Sequence, residues 1–245
     1  MPYRKQQFAN NEIYHITIRK IGDDLLFKNI DDYYRGIFSI YEFNNTKPIT
    51  IQYQRKVRAK LKKEKEIVVE TDRGPSSIID RRDRLVDILT FCFMPNHMHL
   101  LIKQLKDNGI TKFMSKLGTG YGGYFNRKYS QKGYVFQNRF SAVHIETEEQ
   151  LMAVFAYIHI NPISLIEPKW KEKGIQNMEK IIEFLENYKW SSYLDYIGKK
   201  NFPSVTEREF MLKVVNGEQG CKKIVEEWIK YKGEIKEFSE LALEG

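Results

Sequence analysis

The segment Phe93-Met94-Pro95-Asn96-His97-Met98-His99-Leu100-Leu101-Ile102 sets two imidazoles two residues apart inside an apolar run. An apolar run of that length after a Pro-Asn turn reads as a buried strand, and alternate side chains of a strand share a face. His97 and His99 therefore point one way, while Met98, Leu100 and Ile102 point the other way into a core. Paired neutral imidazoles on one rigid face can chelate a divalent metal. Two hydrogen-bonded core histidines are the structural alternative. The chain holds only 5 histidines, so finding two of them here favours the metal site.

At 245 residues the chain has room for one large domain, or for a domain with an appendage. Hydrophobic residues at 42% and charged residues at 29% are ordinary for a globular protein, so a real core is expected. Lys and Arg (40) exceed Asp and Glu (32), a formal charge of +8 that favours a polyanionic partner through counterion release. The 15 Tyr and 15 Phe can stack on unpaired bases as well as fill a core. Two cysteines, Cys92 in the apolar strand and Cys221 far downstream, support neither a disulfide framework nor a thiolate zinc site. Met1 to Asn11 is polar, and no apolar run approaches the ~20 residues a membrane span needs. A cytoplasmic protein without a membrane partner is expected.

Glu12 to Arg19 alternates Ile13, His15, Thr17 and Arg19 against Tyr14, Ile16 and Ile18, the period of a half-buried first strand. Asp31 to Phe43 carries Tyr34, Ile37, Phe38 and Tyr41 at helical spacing, with Asp31 and Asp32 where the helix dipole favours anions. Asn44 to Arg84 breaks the pattern and reads as an inserted, largely solvated excursion. Its basic run from Arg55 to Lys65 is either a solvated face or an arm that grips phosphates. The histidine strand spans Asp87 to Lys103 and is followed by a helix from about Thr111 to Lys128. Glycines 118, 120, 122 and 123 interrupt that helix, and since each costs roughly 1 kcal/mol they point to a bend or a close backbone approach. Tyr134 to Glu146 reads as strand material, and a hairpin there would complete the sheet. Thr147-Glu148-Glu149-Gln150 has the form of a capping box and opens a helix that must stop near Asn161, ahead of Pro162. Met178 to Asn187, Thr206 to Val215 and Gln219 to Lys232 show helical periodicity, with Trp190-Ser191-Ser192-Tyr193 in the loop between them. The expected organisation is a domain over 1–165 containing the 44–84 excursion, then a helical C-terminal extension over 166–245.

Two imidazoles hold a divalent ion loosely, so a third protein ligand is expected, with positions left for water or substrate oxygens. Asn161 can supply it through its side-chain oxygen. Tyr157 lies one helical turn before Asn161 and shares its face. A metal held there would polarise a phosphate and orient an attacking group. A phenol attacks poorly at its reference pKa of about 10, so Tyr157 would need activation and would form a covalent phosphotyrosine.

His97-Met98-His99, Tyr124-Phe125-Asn126-Arg127, Phe136-Gln137-Asn138-Arg139-Phe140 and Tyr157-Ile158-His159-Ile160-Asn161-Pro162 follow one another in a particular order. That order resembles the single-tyrosine HUH transposases (IS200-like), and most of all their REP-associated branch. Tyr14-His15-Ile16 and Trp190-Ser191-Ser192-Tyr193 resemble the same group, so the likeness covers most of the chain. It implies an α+β fold: a ferredoxin-like or RRM-like antiparallel sheet flanked by helices, with both histidines on a central strand and the tyrosine on a helix facing them. It also implies cutting of single-stranded DNA beside a hairpin, leaving a 5′-phosphotyrosine and a free 3′-hydroxyl, with Mg2+ or Mn2+ as cofactor. Insertion-sequence members carry Gln four residues after the nucleophile; Asn161 resembles the REP-associated form and is one methylene shorter.

Tyr124 and Tyr129 are rival nucleophiles, and Tyr124 is also suited to packing or base stacking. Arg127, Lys128 and Arg139 are phosphate contacts or solvated charges. His159 falls on roughly the opposite side of the helix from Tyr157 and reads as a packing residue; His15 reads as a hydrogen-bonding one. Two function classes stand: a metal-dependent nuclease and strand transferase acting on single-stranded or hairpin DNA as monomer or homodimer, and a binder of structured nucleic acid that does not cut. A histidine-triad hydrolase fits less well, because Leu101 stands where another His is needed.

Overall fold

The computed structural model describes residues 7–50, 53, 56, 69–71, 74–76, 82–137 and 140–230. The first strand, β1 (Ile13–Arg19), leads into a helix over Ile30–Glu42. Two short strands, β2 (Val69–Thr71) and β3 (Gly74–Ser76), pair with each other inside the excursion. β4 (Val86–Met94) and β5 (His97–Gln104) follow, then a helix over Gly109–Tyr129, β6 (Ser141–Ile145) and a helix over Glu148–Ile160. The main sheet runs β4-β5-β1-β6 with every neighbour antiparallel. A strand-helix-strand-strand-helix-strand order with that pairing is the ferredoxin-like arrangement.

Strand alternation assigns the two faces. Tyr14, Ile16, Ile18, Met98, Leu100 and Ile102 enter one core together with the Ile30–Glu42 and Gly109–Tyr129 helices. Leu89, Cys92, Met94 and Leu101 enter a second core against the Glu148–Ile160 helix and the C-terminal helices. The C-terminal segment is thus part of what covers the sheet: Trp170, Ile181, Tyr193, Met211 and Val225 are all buried in this second core.

Local chemistry sets the helix boundaries. Asn29 and Asp32 form a reciprocal cap, each side chain accepting the other's backbone N–H, which satisfies two otherwise orphaned donors. Asp32 is fully buried and also accepts from Tyr124, Lys128 and Tyr129, tying the two helices of the first core together. Thr147 caps the next helix by accepting from the Gln150 N–H at 3.2 Å. That helix ends at Ile160, and Pro162 lies in the 3-10 turn over Asn161–Leu165.

Three expectations change. The Gly109–Tyr129 helix is not interrupted by its glycines. Gly120 instead permits a close approach: a Cβ there would lie 2.1 Å from the Phe43 ring, while one on Gly118 would meet nothing within 4 Å. Among the described residues from Tyr134 to Glu146, the strand is Ser141–Ile145, paired on the edge of β1, and no hairpin forms. Its earlier apolar residues, Val135 and Phe136, turn into the first core, and Phe136 reaches the sheet end through a single bridge to Lys20. Trp190 to Ser192 is more than a loop. It lies along the outer edge of β4, with Phe93 N–H donating to the Trp190 carbonyl and Ser192 N–H to the Phe91 carbonyl, and so covers a strand edge that would otherwise be open. The basic run over 55–65, Lys56 aside, lies outside the described residues, as does Arg139. No helix among the described residues is long and apolar enough to cross a membrane.

Candidate active site

The pairing register of β5 with β1 sets Thr17 opposite His99 and Arg19 opposite His97, all four on the face covered by the Glu148–Ile160 helix. The Nε2 atoms of His97 and His99 lie 3.0 Å apart. Two nitrogens bound at ~2.1 Å to a common ion and at right angles to each other are about 3.0 Å apart, so the spacing suits a shared cation. The far ring nitrogens have partners. His97 Nδ1 is 2.6 Å from the Asn96 side-chain oxygen, which accepts, so the proton belongs on Nδ1. His99 Nδ1 lies 3.0 Å from His15 Nε2 and 3.2 Å from Thr17 Oγ1. His15 Nε2 and Thr17 Oγ1 can both accept from His99 Nδ1, and with the protons of both rings on that side both Nε2 lone pairs face the same space, an outer-shell orientation typical of ligating imidazoles.

Electrostatics keep the pair neutral. Burial pushes the His97 pKa down to about 4, with the Arg19 charge adding to it. Burial holds His99 well below the usual range, and the charges of His97, His15, Arg19 and Lys171 add to that. Among the described residues no cluster of three or more His, Cys, Asp or Glu is positioned to hold a metal. Among the described residues a third protein ligand would then come from an amide, a hydroxyl or a carbonyl. Asn161 is the amide in place, with its side-chain nitrogen 3.3 Å from His99 Nε2. The two ends of an amide are nearly isosteric, so turning it over presents Oδ1 at the same position.

Tyr157 meets the histidines edge to face. Its ring centroid is 5.6 Å from that of His99 at 88°, and 6.1 Å from that of His15 at 76°. The phenol is 7% exposed. Burial raises its pKa, while the Asn161 hydrogen bond and the Arg19 charge pull it back. One amide thus touches both the imidazole and the phenol. The Lys171 ammonium stands 5.3 Å from the Tyr157 ring centroid.

The other candidate residues separate. Tyr124 and Tyr129 pack against the first core and donate their hydroxyls to Asp32 at 2.8 and 2.6 Å, on the opposite side of the sheet from the imidazoles. Lys128 is bound to the same carboxylate at 2.7 Å, and Arg127 is exposed on that helix. His144 pairs with Glu12 at 2.8 Å. His159 is fully buried, turned away from Tyr157 toward Phe155 and Tyr196, with Nε2 2.9 Å from Ser192 Oγ. It thereby links the Tyr157 helix to the edge of β4. Alternation along β1 already put Thr17 on the same face as His15, whereas nothing in the sequence pattern marks Lys171, which reaches Tyr157 from a separate helix over Trp170–Lys173.

Residues 51–161 match the model of the family described as IS200-like transposases. Over that region the chain is similar to the IS200-like transposases. That region takes in β4, β5 and β6, contains His97, His99 and Tyr157, and ends on Asn161. The chain also overlaps a solved structure described as a REP-associated tyrosine transposase bound to a REP hairpin. Identity is 13% over 83% of this chain and 90% of that one, with a TM-score of 0.42, too loose for any residue's role to be transferred. No curated protein matches the chain.

Proposed function

We propose that the IS200-like region is a metal-dependent single-stranded DNA endonuclease and strand transferase, in which Tyr157 attacks a phosphodiester beside a DNA hairpin and becomes a 5′-phosphotyrosine. The observation that carries this reading is the convergence of Tyr157, His97, His99 and Asn161 at one point from three separate elements, with the paired Nε2 atoms at the spacing of a shared ion. His97, His99 and Asn161 would hold Mg2+ or Mn2+. A divalent ion bound there would supply Lewis-acid stabilisation of the phosphate's developing charge.

The protein's own groups set up the rest. Strand β5 is central and packed on both faces, so its imidazoles are fixed before substrate arrives. With its amide nitrogen turned toward them, before a metal is held, Asn161 favours the ionised phenol against the burial that opposes ionisation. Water is largely excluded from a ring that is 7% exposed, which protects a phosphotyrosine from premature hydrolysis. The basic balance of +8 supports a nucleic-acid partner.

The test is incubation of the full chain with labelled single-stranded DNA carrying a hairpin, in Mg2+ or Mn2+, followed by a denaturing gel. A protein-linked band is expected that a chelator or Tyr157→Phe abolishes while hairpin binding survives. Binding without any linked band would favour the non-cutting reading.

A further inference from the structure

The site's charge is unusual for one that would hold a divalent ion, because it has cations and no acid. Among the described residues no carboxylate contacts His97, His99, Asn161 or Tyr157. Two cations stand near the group instead. Arg19 is the last residue of β1, paired opposite His97, and the alternation that turns His15 and Thr17 toward His99 sends its exposed side chain onto the same face. Lys171 reaches the same group from the separate helix over Trp170–Lys173, its ammonium 5.3 Å from the Tyr157 ring centroid. Neither has a carboxylate partner among the described residues. Most of the lysines near the first core are engaged: Lys20 and Lys28 with Asp24, and Lys128 with Asp32. Two cations without a carboxylate partner, acting on the same phenol and imidazoles, set up a field that favours an anion there.

We propose that Arg19 and Lys171 are further catalytic residues of this site, a guanidinium and an ammonium that hold the phosphoryl group between them as Tyr157 attacks it. This rests on the transferase reading given above. In the step they serve, the bond from the Tyr157 oxygen to phosphorus forms and the bond from phosphorus to the 3′-oxygen breaks. The electron pair leaves on the 3′-oxygen, which takes up a proton, and the phenolic proton passes to water. The diester carries one negative charge before the step, and its non-bridging oxygens gather more in the transition state. Donors preset there therefore stabilise the transition state more than the ground state. Arg19 suits a forked contact to two oxygens and Lys171 a point contact near the new bond. The same pair would keep the phosphotyrosine in place until a 3′-hydroxyl reclaims it.

The experiment has two arms on the full-length chain. Lys171→Met, Lys171→Arg, Arg19→Met and Tyr157→Phe are compared with the original, and melting curves check that each is folded; both cations are exposed, so their replacement leaves the core intact. The first arm titrates inorganic phosphate and follows binding by 31P NMR, with no cutting required. Lys171→Met and Arg19→Met are each expected to weaken phosphate binding roughly tenfold or more, with Lys171→Arg near the original and Tyr157→Phe little changed. The second arm measures single-turnover formation of the protein-DNA link on a hairpin substrate, alongside hairpin affinity. Each Met variant is expected to slow the link about 100-fold or more, while hairpin affinity moves only a few-fold. Phosphate binding and linking rate both unchanged in Lys171→Met and Arg19→Met would overturn the clamp. An original protein that never forms the link, yet binds phosphate through these two residues, would sink the tyrosine chemistry and keep the clamp.

Discussion

The histidine pair yields a prediction in which burial, rather than the presence of imidazole, does the deciding. Metal binding to imidazole competes with protons, so an exposed pair with ordinary pKa values near 6.5 loses affinity steeply in mild acid. From the neutral fractions of two such rings, the affinity of an exposed pair falls roughly 15-fold between about pH 7.5 and about pH 6. Here burial pushes the His97 pKa down to about 4 and holds His99 lower than the usual range, so both rings stay neutral over that interval. The Mn2+ affinity of the full chain should then change by less than about twofold across the same interval. Electron spin resonance of free Mn2+ measures this without any DNA, with His97→Ala and His99→Ala as the variants that should lose binding. A decline of more than about tenfold, with close to two protons displaced per ion, would mean that the rings titrate like exposed ones. The packing that orients them would then be wrong.

Further consequences can be checked independently of metal. Gly120→Ala should destabilise the fold by about 1–3 kcal/mol despite alanine's better helix propensity, since its methyl would strike the Phe43 ring, whereas Gly118→Ala should stabilise by about 0.5–1 kcal/mol. Urea titrations that rank the two variants the other way would refute the helix packing. Acid should weaken the metal-free fold through His97, His99 and His159, whose folded pKa values all lie below the unfolded 6.5, with His159 pushed down to about 3 by burial. Their contribution is complete above about pH 6.5 and lost as pH falls toward the folded values, at up to about 1.4 kcal/mol per pH unit for each ring. Urea stability that stays flat from about pH 7 to about pH 5 would contradict their burial.

Much of the fold was legible because alternation is a strong signal where one strand divides two cores. Ile13 to Arg19 and His97 to Ile102 distribute their side chains as their sequence pattern requires, and the order of strands and helices follows. The site's metal and tyrosine candidates were legible as spacing: two residues on a strand, four on a helix. The segment from Tyr134 to Phe140 misled, because Val135 and Phe136 satisfy their apolar character by packing under the sheet end rather than by pairing. Of the two readings the glycines offered, the close approach is the one seen, at Gly120 against the Phe43 ring, because a missing side chain can accommodate a neighbour without bending the helix. The edge contact of Trp190 to Ser192, a segment the sequence marked only as a motif, and the reach of Lys171 were not legible. Each works through a contact with an element far away in the chain, β4 for the first and Tyr157 for the second, and no local period encodes such a contact.

The central claim is that the phenol of Tyr157, and no other, receives the DNA phosphate. Protein linked to hairpin-bearing single-stranded DNA in Mn2+ can be digested with protease and nuclease, and the peptide bearing the residual nucleotide sequenced by mass spectrometry. The account predicts a phosphotyrosine at Tyr157, within the peptide that runs into Asn161-Pro162. The same modification on Tyr124 or Tyr129, whose hydroxyls are bound to Asp32 on the far side of the sheet, would contradict it.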